Sequence, residues 1–576
     1  MAGPTQTDRL AIEQLQQYEN EKGKRDGIYA DDWQYISNYF LPQESNIQTQ
    51  KTEGVNDWTQ DIFDTCPIEA AQVYAAGDYN WLTPPQQQWA GYAPPREKGK
   101  EIDDAATRWL ADATDDVMAA FARSNFYSVR ALNALGIGVF GTDFMLFEED
   151  EKSPGEFNFR HNRIATYTAA EDYTGIVDST RREFEMTYRQ IKQMFNKPGD
   201  TIPEDMERAA KGANGGAKKF KILHSIFPRE DSQRLPGRKD GANKPIASVY
   251  IAIEFKRTIR VSGYEEQPCI VPRYAKWGTD AVWGYGPAYL ALPEARQLNY
   301  MAQYMDSAAE KLIDPRFLVP SNLDGDVDLR AGGGTVYDEN MPNAVPKEWL
   351  SGAEYKLGLE IMEQKREMIR NAFSNSAFKL LNSDPLLDKK MTAFEISQRQ
   401  AENLSGITPS LARRTTEFIN VLMRRAFGIR YRAGKFGPPP QSLMRDLGNG
   451  KQGLVMPDIV ITSRISDAMK ALKNRGIEET VQFIAPMAEQ KPELWDVFML
   501  DDVATTYAQD AGVPADLIRP KKGRDSVEQM RAARAKIQQQ QRAAQMTAEL
   551  GKAGAGLGKS PEFVQDAVKE QLGSQN

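Results

Sequence analysis

Pro287 to Leu312 reads PAYLALPEARQLNYMAQYMDSAAEKL, and in it Leu298, Met301, Met305, Ala308 and Leu312 fall three, four, three and four residues apart. That spacing places all five on one helical face, so the stretch predicts an amphipathic rod that packs against another helix. At 1.5 Å per residue the rod spans roughly 39 Å. A second helix with the same period follows, marked by Leu359, Met362, Ile369 and Phe373 and interrupted by Arg366. Between the two lies an irregular insert, Asp314 to Pro346, containing DPRF, DGD and AGGGTVY. After the second helix, Ser376 to Lys390 (SAFKLLNSDPLLDKK) separates it from a third, very long one. That helix opens on Thr392 to Glu395 (TAFE), where hydroxyl and carboxylate satisfy the exposed amides of a helix start. Pro409 marks a kink or break, and the later stripe is Leu411, Phe418, Leu422, Ala426 and Ile429. Such length without a local partner predicts packing against neighbouring subunits.

Upstream of this helical half the pattern differs. Ile102 to Leu135 reads as a helix, with Trp109, Val117, Phe121 and Leu132 among polar positions, and it ends in glycines. GTDFMLF (141 to 147) and EFNFRHNRIATYT (156 to 168) then alternate as strands do. FKILHSIF and IASVYIAIEF read as two more, and RTIRVSGYEEQPCIVPRYAKW continues the pattern. Residues 196 to 216 read as a polar loop with one short helical turn, and 229 to 245 as a second loop. A sheet region over roughly 140 to 280 with a helix packed on it makes the first part α+β. Downstream, GPPP at 437 to 440 breaks the helical run, VMPDIVITS reads as a strand, and helices resume from about Ser466 to Ala511. Beyond Pro520 the Gln- and Ala-rich run SVEQMRAARAKIQQQQRAAQMTAEL predicts a solvated helix before a loose tail.

A chain of 576 residues is long enough for several packed regions. Its apolar fraction of 41 % and charged fraction of 26 % are those of a folded protein. No apolar run approaches the length of a membrane span, and the first residues are polar, so nothing marks secretion or insertion. Cys66 and Cys269 are the only cysteines, which rules out a disulfide framework or a cysteine-based zinc ribbon and fits a reducing site of synthesis. His161 and His224 are the only histidines, too few for a histidine-based triad, a multi-histidine zinc site or an H-E-x-x-H helix. The net charge of −8 argues against a protein that grips nucleic acid over its whole surface. It is compatible with a conduit past which nucleic acid must slide.

Two glycine motifs invite a nucleotide reading. GIGVFG (136 to 141) matches G-x-G-x-x-G, yet the order here is helix then strand, the reverse of what a pyrophosphate at a helix amino terminus requires, and a tight turn is expected instead. AGAGLGKS (553 to 560) matches a relaxed P-loop but follows a Gln/Ala helix near the end of the chain, so a tail is expected. The acidic runs EEDE (148 to 151) and DGDVD (324 to 328) read as solvated faces rather than cation sites. The basic pairs Lys389 and Lys390, Arg413 and Arg414, and Arg424 and Arg425 read mostly as surface or inter-subunit partners.

Three further runs carry a resemblance. IFDTCPIEAAQVYAAGDYNWLTPPQQQW (62 to 89) resembles a characteristic segment of the portal, or head-to-tail connecting, proteins of short-tailed bacteriophages, in which an alanine-rich helix leads to a Leu-Thr-Pro-Pro step and a tryptophan. WGYGPAYLALPEARQLN (283 to 299) and MTAFEISQRQAE (391 to 402) are similar to two later segments of that family, in the same order. The chain departs from the pattern at Asp78, Tyr79 and Asn80.

The resemblance implies a helix-rich α+β portal fold assembled as a ring. It places a wing at 1–285, a stem helix at 286–312, a clip at 313–352 and a second stem helix at 353–375. A tunnel loop at 376–390, a long helix and wing return at 391–500, and a crown with a C-terminal tail at 501–576 complete it. It further implies a homo-oligomer of 12 subunits at one capsid vertex of the virion, assembled in the host cytoplasm. Double-stranded DNA would pass through the channel during packaging and ejection. Terminase, tail adaptor, major capsid and scaffolding proteins would be its partners, with no membrane, cofactor, metal or catalytic residue. On that pattern Lys379, Leu380, Leu381, Asp384, Lys389 and Lys390 lie near the channel. The alternatives are a capsid scaffold or adaptor without a pore, and a motor subunit using Lys559 and Ser560.

Overall fold

The computed structural model describes residues 6–48, 60–95, 103–211, 218–235, 238, 240–278, 281–313, 317–318, 347–348, 355–376, 378, 412–446, 452–462, 476–478, 480–487, 491, 500–510 and 527–556. They divide into two units, Met1–Ala468 and Met469–Asn576. The first is mixed helix and sheet.

Alternation along the strands decides the larger sheet. Helix α1 (Gln6–Ile28) precedes α2 (Ala30–Phe40), and strands β4 (Tyr167–Glu171), β5 (Val177–Thr187), β6 (Lys219–Pro228), β7 (Ile246–Ala252) and β8 (Arg257–Tyr264) pair antiparallel in chain order. Leu223, Ala247, Val249 and Ile251 point to one face, where Ala11, Leu15 and Tyr18 of α1 cover them. Phe220, Ile222, Tyr250 and Ile259 point to the other, under Ile191, Phe195 and Met206. The period of two thus gives a sheet with apolar residues on both faces and a helix layer for each. The second layer comes from α6 (Tyr188–Met194) and α7 (Glu204–Ala210). The sequence predicts a single short turn in that region, and α7 is that turn; α6 starts on a capping box between Thr187 and Gln190.

The helix expected over 102 to 135 is two helices, α4 (Asp104–Arg123) and α5 (Phe126–Phe140). Ser124 is extended between them, and its hydroxyl accepts from the Phe126 amide at 3.1 Å. The break turns Phe126 back onto Phe121, with ring centroids 4.8 Å apart, and onto Trp89. Val117 and Phe121 are buried as the spacing implies, whereas Leu132 is 50 % exposed because α5 points a different face at the core. Gly136 and Gly138 lie inside α5 rather than in a turn, and only Gly141, at φ +74°, ends the helix in the left-handed region. Strand β2 (Phe144–Glu149) follows, pairing with β3 (Phe157–Asn162) and β9 (Cys269–Ile270). The helix-then-strand order that argues against a dinucleotide site is therefore observed.

The helical pair read from Pro287 onward is present. Helix α8 (Pro287–Ile313) packs on α9 (Tyr355–Ala372), burying Ala288, Ala291, Ala295, Leu298 and Ala302 with Met362, Ile369 and Phe373 in one core. Small residues along α8 let the rods approach closely, and Gly358 on α9 faces the Met305 sulfur. Leu359, expected on the inner face, is 44 % exposed. Between the rods, Phe317–Leu318 pairs antiparallel with Lys347–Glu348.

The third helix corrects the expectation most. Its opening at Thr392 and the kink at Pro409 lie outside the described residues. From Ala412 the chain is helical, through a π-helical turn at Thr415–Ile419 into α10 (Asn420–Arg432). Phe418, Leu422, Ala426 and Ile429 are buried, but against Trp89, Leu110, Phe121, Phe126 and Phe147 of the same chain rather than a neighbour. The strand read in VMPDIVITS is Asp458–Ile461, which pairs with β1 (Ala90–Ala93) beside them. In the second unit, helices Leu500–Asp510 and Val527–Gly556 are described, and Met530 and Ile537 of the latter are exposed. Ala553 to Gly556, the start of the P-loop-like run, close that helix, and the remainder of the run lies outside the described residues. No described helix is long and apolar enough to cross a membrane.

Two glycines with positive φ separate backbone cost from crowding. A Cβ at Gly141 would strike the Tyr285 and Gly286 backbone, whereas one at Gly434, φ +67°, would meet nothing within 4 Å. Gly434→Ala is expected to destabilise the chain by about 1–2 kcal/mol, the left-handed penalty alone. Gly141→Ala should exceed that clearly, as checked by urea unfolding.

Candidate functional site

Helix α3 (Cys66–Leu82) begins where the Asp64 carboxylate accepts from the Cys66 amide at 2.9 Å, with Pro67 in its first turn, where a missing amide costs nothing. Alanines carry it, and Thr83 with Pro84 ends it. Tyr74, Gly77, Asp78 and Trp81, three, one and three residues apart, share one buried face. An ionised carboxylate in the middle of such a face requires compensation.

Two arginines supply it. Arg130 of α5 reaches one Asp78 oxygen at 2.5 Å, and Arg414 reaches the other; all three side chains are buried. Arg414 also donates to the Tyr74 hydroxyl at 3.1 Å. Burial pulls the Arg130 guanidinium down to about 10, still charged near neutrality. The contacts continue inward. Arg130 donates to Asn133 Oδ1 at 3.3 Å, Asn133 donates to Asp143 Oδ2 at 2.6 Å, and His161 Nε2 lies 3.0 Å from Asp143 Oδ1.

Next to Asp78, the ring of Phe378 occupies the space a side chain at position 77 would need, which is why glycine stands there. Phe378 packs edge-on against Tyr74 and Trp81, with centroids 5.6 and 6.1 Å away. At the start of α3, Arg366 of α9 donates twice to Asp64, at 2.9 and 3.1 Å, and the Cys66 thiol faces the Arg366 carbonyl. One helix therefore holds the end of α9, Phe378 just beyond it, and Arg414 where the described chain resumes. Phe378 and Arg414, which bracket residues 379–411, thus meet on the same few residues of α3.

Further buried arginines fasten the returning helix. Arg273 is fully buried and binds Glu417 through its guanidinium at 2.6 Å and its backbone amide at 3.0 Å, with Glu171 as a second carboxylate. Arg425 donates to the Phe147 and Glu266 carbonyls at 2.8 and 2.9 Å. Arg430 binds Asp116 and Glu156. The expectation of surface or inter-subunit roles therefore fails for Arg414 and Arg425. Each sits where the helix crosses an earlier part of the chain and satisfies buried groups there.

Lys379, Leu380, Leu381, Asp384, Lys389 and Lys390 lie outside the described residues, as does DGDVD. The EEDE run is occupied locally. Glu149 accepts from the Gly155 amide, Asp150 from the Lys152 amide, and Glu151 pairs with Lys197 at 2.9 Å. Among the described residues no cluster of three His, Cys, Asp or Glu side chains is arranged to hold a metal. Asp78 was the signal missed in the sequence: a single acid among alanines and aromatics at helical spacing announces a buried cation partner. It is one of the three residues at which the chain departs from the family pattern.

Removing one partner of a buried ion pair strands the others. Asp78→Ala is expected to cost about 3–5 kcal/mol in urea unfolding, since two guanidinium groups lose their counter-charge. Arg413→Ala, which removes only a half-exposed pair with Glu417 one helical turn away, should cost no more than about 0.5 kcal/mol.

The comparisons with known proteins concern nearly the whole chain. It is 28 % identical over 499 residues to the probable portal protein of Bordetella phage BPP-1, covering 85 % of each chain. It is 25 % identical over 542 residues to the portal protein of Salmonella phage epsilon15, covering 93 % of each. The family pattern of the bacteriophage head to tail connecting protein matches residues 13–518. With that match running from α1 through the α3 anchor and the helical pair to the second unit, the chain belongs to the bacteriophage head-to-tail connecting, or portal, protein family.

Proposed function

We propose that this chain is the subunit of a twelve-membered ring at one capsid vertex, the channel for double-stranded DNA during packaging and ejection. In this reading it also docks terminase and tail adaptor proteins, contacts major capsid and scaffolding proteins, and catalyses no bond-making reaction. The observation that carries the reading is the family match over residues 13–518.

The geometry supports a division of labour within the subunit. Helices α8 and α9 serve as the stem, the insert between them as the clip, and the sheets with their covering helices as the wing. The segment at 376–390 serves as the tunnel loop, with Lys379, Leu380, Leu381, Asp384, Lys389 and Lys390 near the DNA. In support, Phe378 and Arg414, on either side of residues 379–411, both pack on α3. An acidic chain of net charge −8 suits a wall past which a polyanion must move without sticking.

Deleting 380–390 keeps Phe378 and Arg414 in place, so the subunit should fold and form rings while DNA packaging or retention is lost. Electron microscopy of the purified assembly and a packaging assay read the two effects separately. Normal packaging and infectivity after the deletion, or open lattices without a central hole, would overturn the proposal in favour of a scaffold or adaptor. ATP hydrolysis abolished by Lys559→Ala would favour a motor subunit.

A further inference from the structure

The α3 anchor does not end at Asp78. A continuous line of polar contacts, buried except at its half-buried end on His161, runs from Arg414 through Asp78, Arg130, Asn133 and Asp143 to His161 on β3. It links five separate parts of the chain. Its members are two carboxylates, two guanidinium groups, one amide and one imidazole, so their charges balance when the imidazole is neutral. His161 is the only one whose charge changes near neutral pH. We propose that His161 is a positioning residue for the α3 anchor, its ring charge setting how firmly Phe378 and Arg414 are held on α3.

The mechanism is competition for Arg130. With His161 protonated, Asp143 is neutralised from the β3 side, and Arg130 is left to Asp78. With His161 neutral, Asp143 has no cation of its own and draws on Arg130 through Asn133. The Arg130–Asn133 contact, at 3.3 Å, is the longest side-chain hydrogen bond between His161 and Asp78 and the joint at which the line slips. Any shift of Arg130 toward Asp143 withdraws one of the two cations that fix Asp78, and with it the seat of Arg414.

The charged groups that face His161 are Asp143, Glu44 from the turn after α2, and Arg163 beside it on the chain. Arg163 is itself engaged by Glu44, at 3.6 Å, and by Asn46. Burial alone would lower the imidazole, but the neighbouring Asp143 carboxylate raises it above its ordinary value. A raised folded value means that the protonated pair stabilises the fold fully below the unfolded value of about 6.5, and that this contribution is lost as pH rises through the folded value. The anchor is therefore firmer on the acid side. The anchoring does not depend on the channel reading above.

Ser376 and Ala412 are exposed and flank the two feet of the segment. Cys66 and Cys269 are buried, their thiols pushed up to about 11 and about 12, so cysteines introduced at 376 and 412 take spin labels selectively. Electron double resonance on the doubly labelled full chain, diluted with unlabelled chain, reads the distance distribution between the feet. The expected result is a distribution that broadens as pH rises, with a midpoint above about 6.5, and no such transition in His161→Gln. Glutamine keeps a hydrogen bond to Asp143 but carries no titrating proton. A distribution that stays constant between about pH 6 and pH 8.5 in the unsubstituted chain would overturn the proposal. So would an unchanged transition in His161→Gln. Because the readout is a distance, it succeeds or fails independently of any packaging assay.

Discussion

A carboxylate placed where no water reaches must be neutralised by its neighbours, and the arrangement around Asp78 follows from that requirement. One anion on α3 draws Arg130 from α5 on one side and Arg414 from the returning helix on the other. Their positions in the chain are far apart, so each ion pair closes a long loop as the fold forms. Hydrophobic contact alone does not specify which turn of one helix meets which turn of another. A buried charge with two required partners does, since any slip of register leaves an ion bare in an apolar setting.

The same logic recurs along the returning helix. Arg273 meets Glu417, Arg425 meets two backbone carbonyls, and Arg430 meets Asp116 and Glu156. Between these points the helix buries Phe418, Leu422 and Ile429. Apolar residues supply the driving force, and arginines supply the alignment. The planar, multiply donating guanidinium suits this role, because one side chain satisfies a carboxylate and a carbonyl together.

The sequence reading succeeds where periodicity is long and one-sided. The α8 and α9 pair, the strands between 140 and 280, and the strand after GPPP all follow from spacing that few alternatives share. It fails where a tertiary contact overrides the local pattern. The extended Ser124 splits a pattern that looks continuous, because Phe126 is needed against Phe121 and Trp89. Gly136 and Gly138 resemble turn glycines in a linear reading, yet they serve a helix that must pass Asp143 and Tyr74. Arg414 and Arg425 look like surface charges because only the folded chain reveals the acid and the carbonyls waiting for them. Of the candidate site, the base on α3 was not legible, since Asp78 carries meaning only beside Arg130 and Arg414.

Phe378 and Arg414 converge on neighbouring turns of α3, so residues 379–411 are bracketed by two contacts on one helix. Closing a loop on such a base costs only about 0.6 kcal/mol more for each doubling of its length. A change in the number of residues between the two feet is therefore a small entropic cost that leaves the contacts of Gly77 and Asp78 as they are.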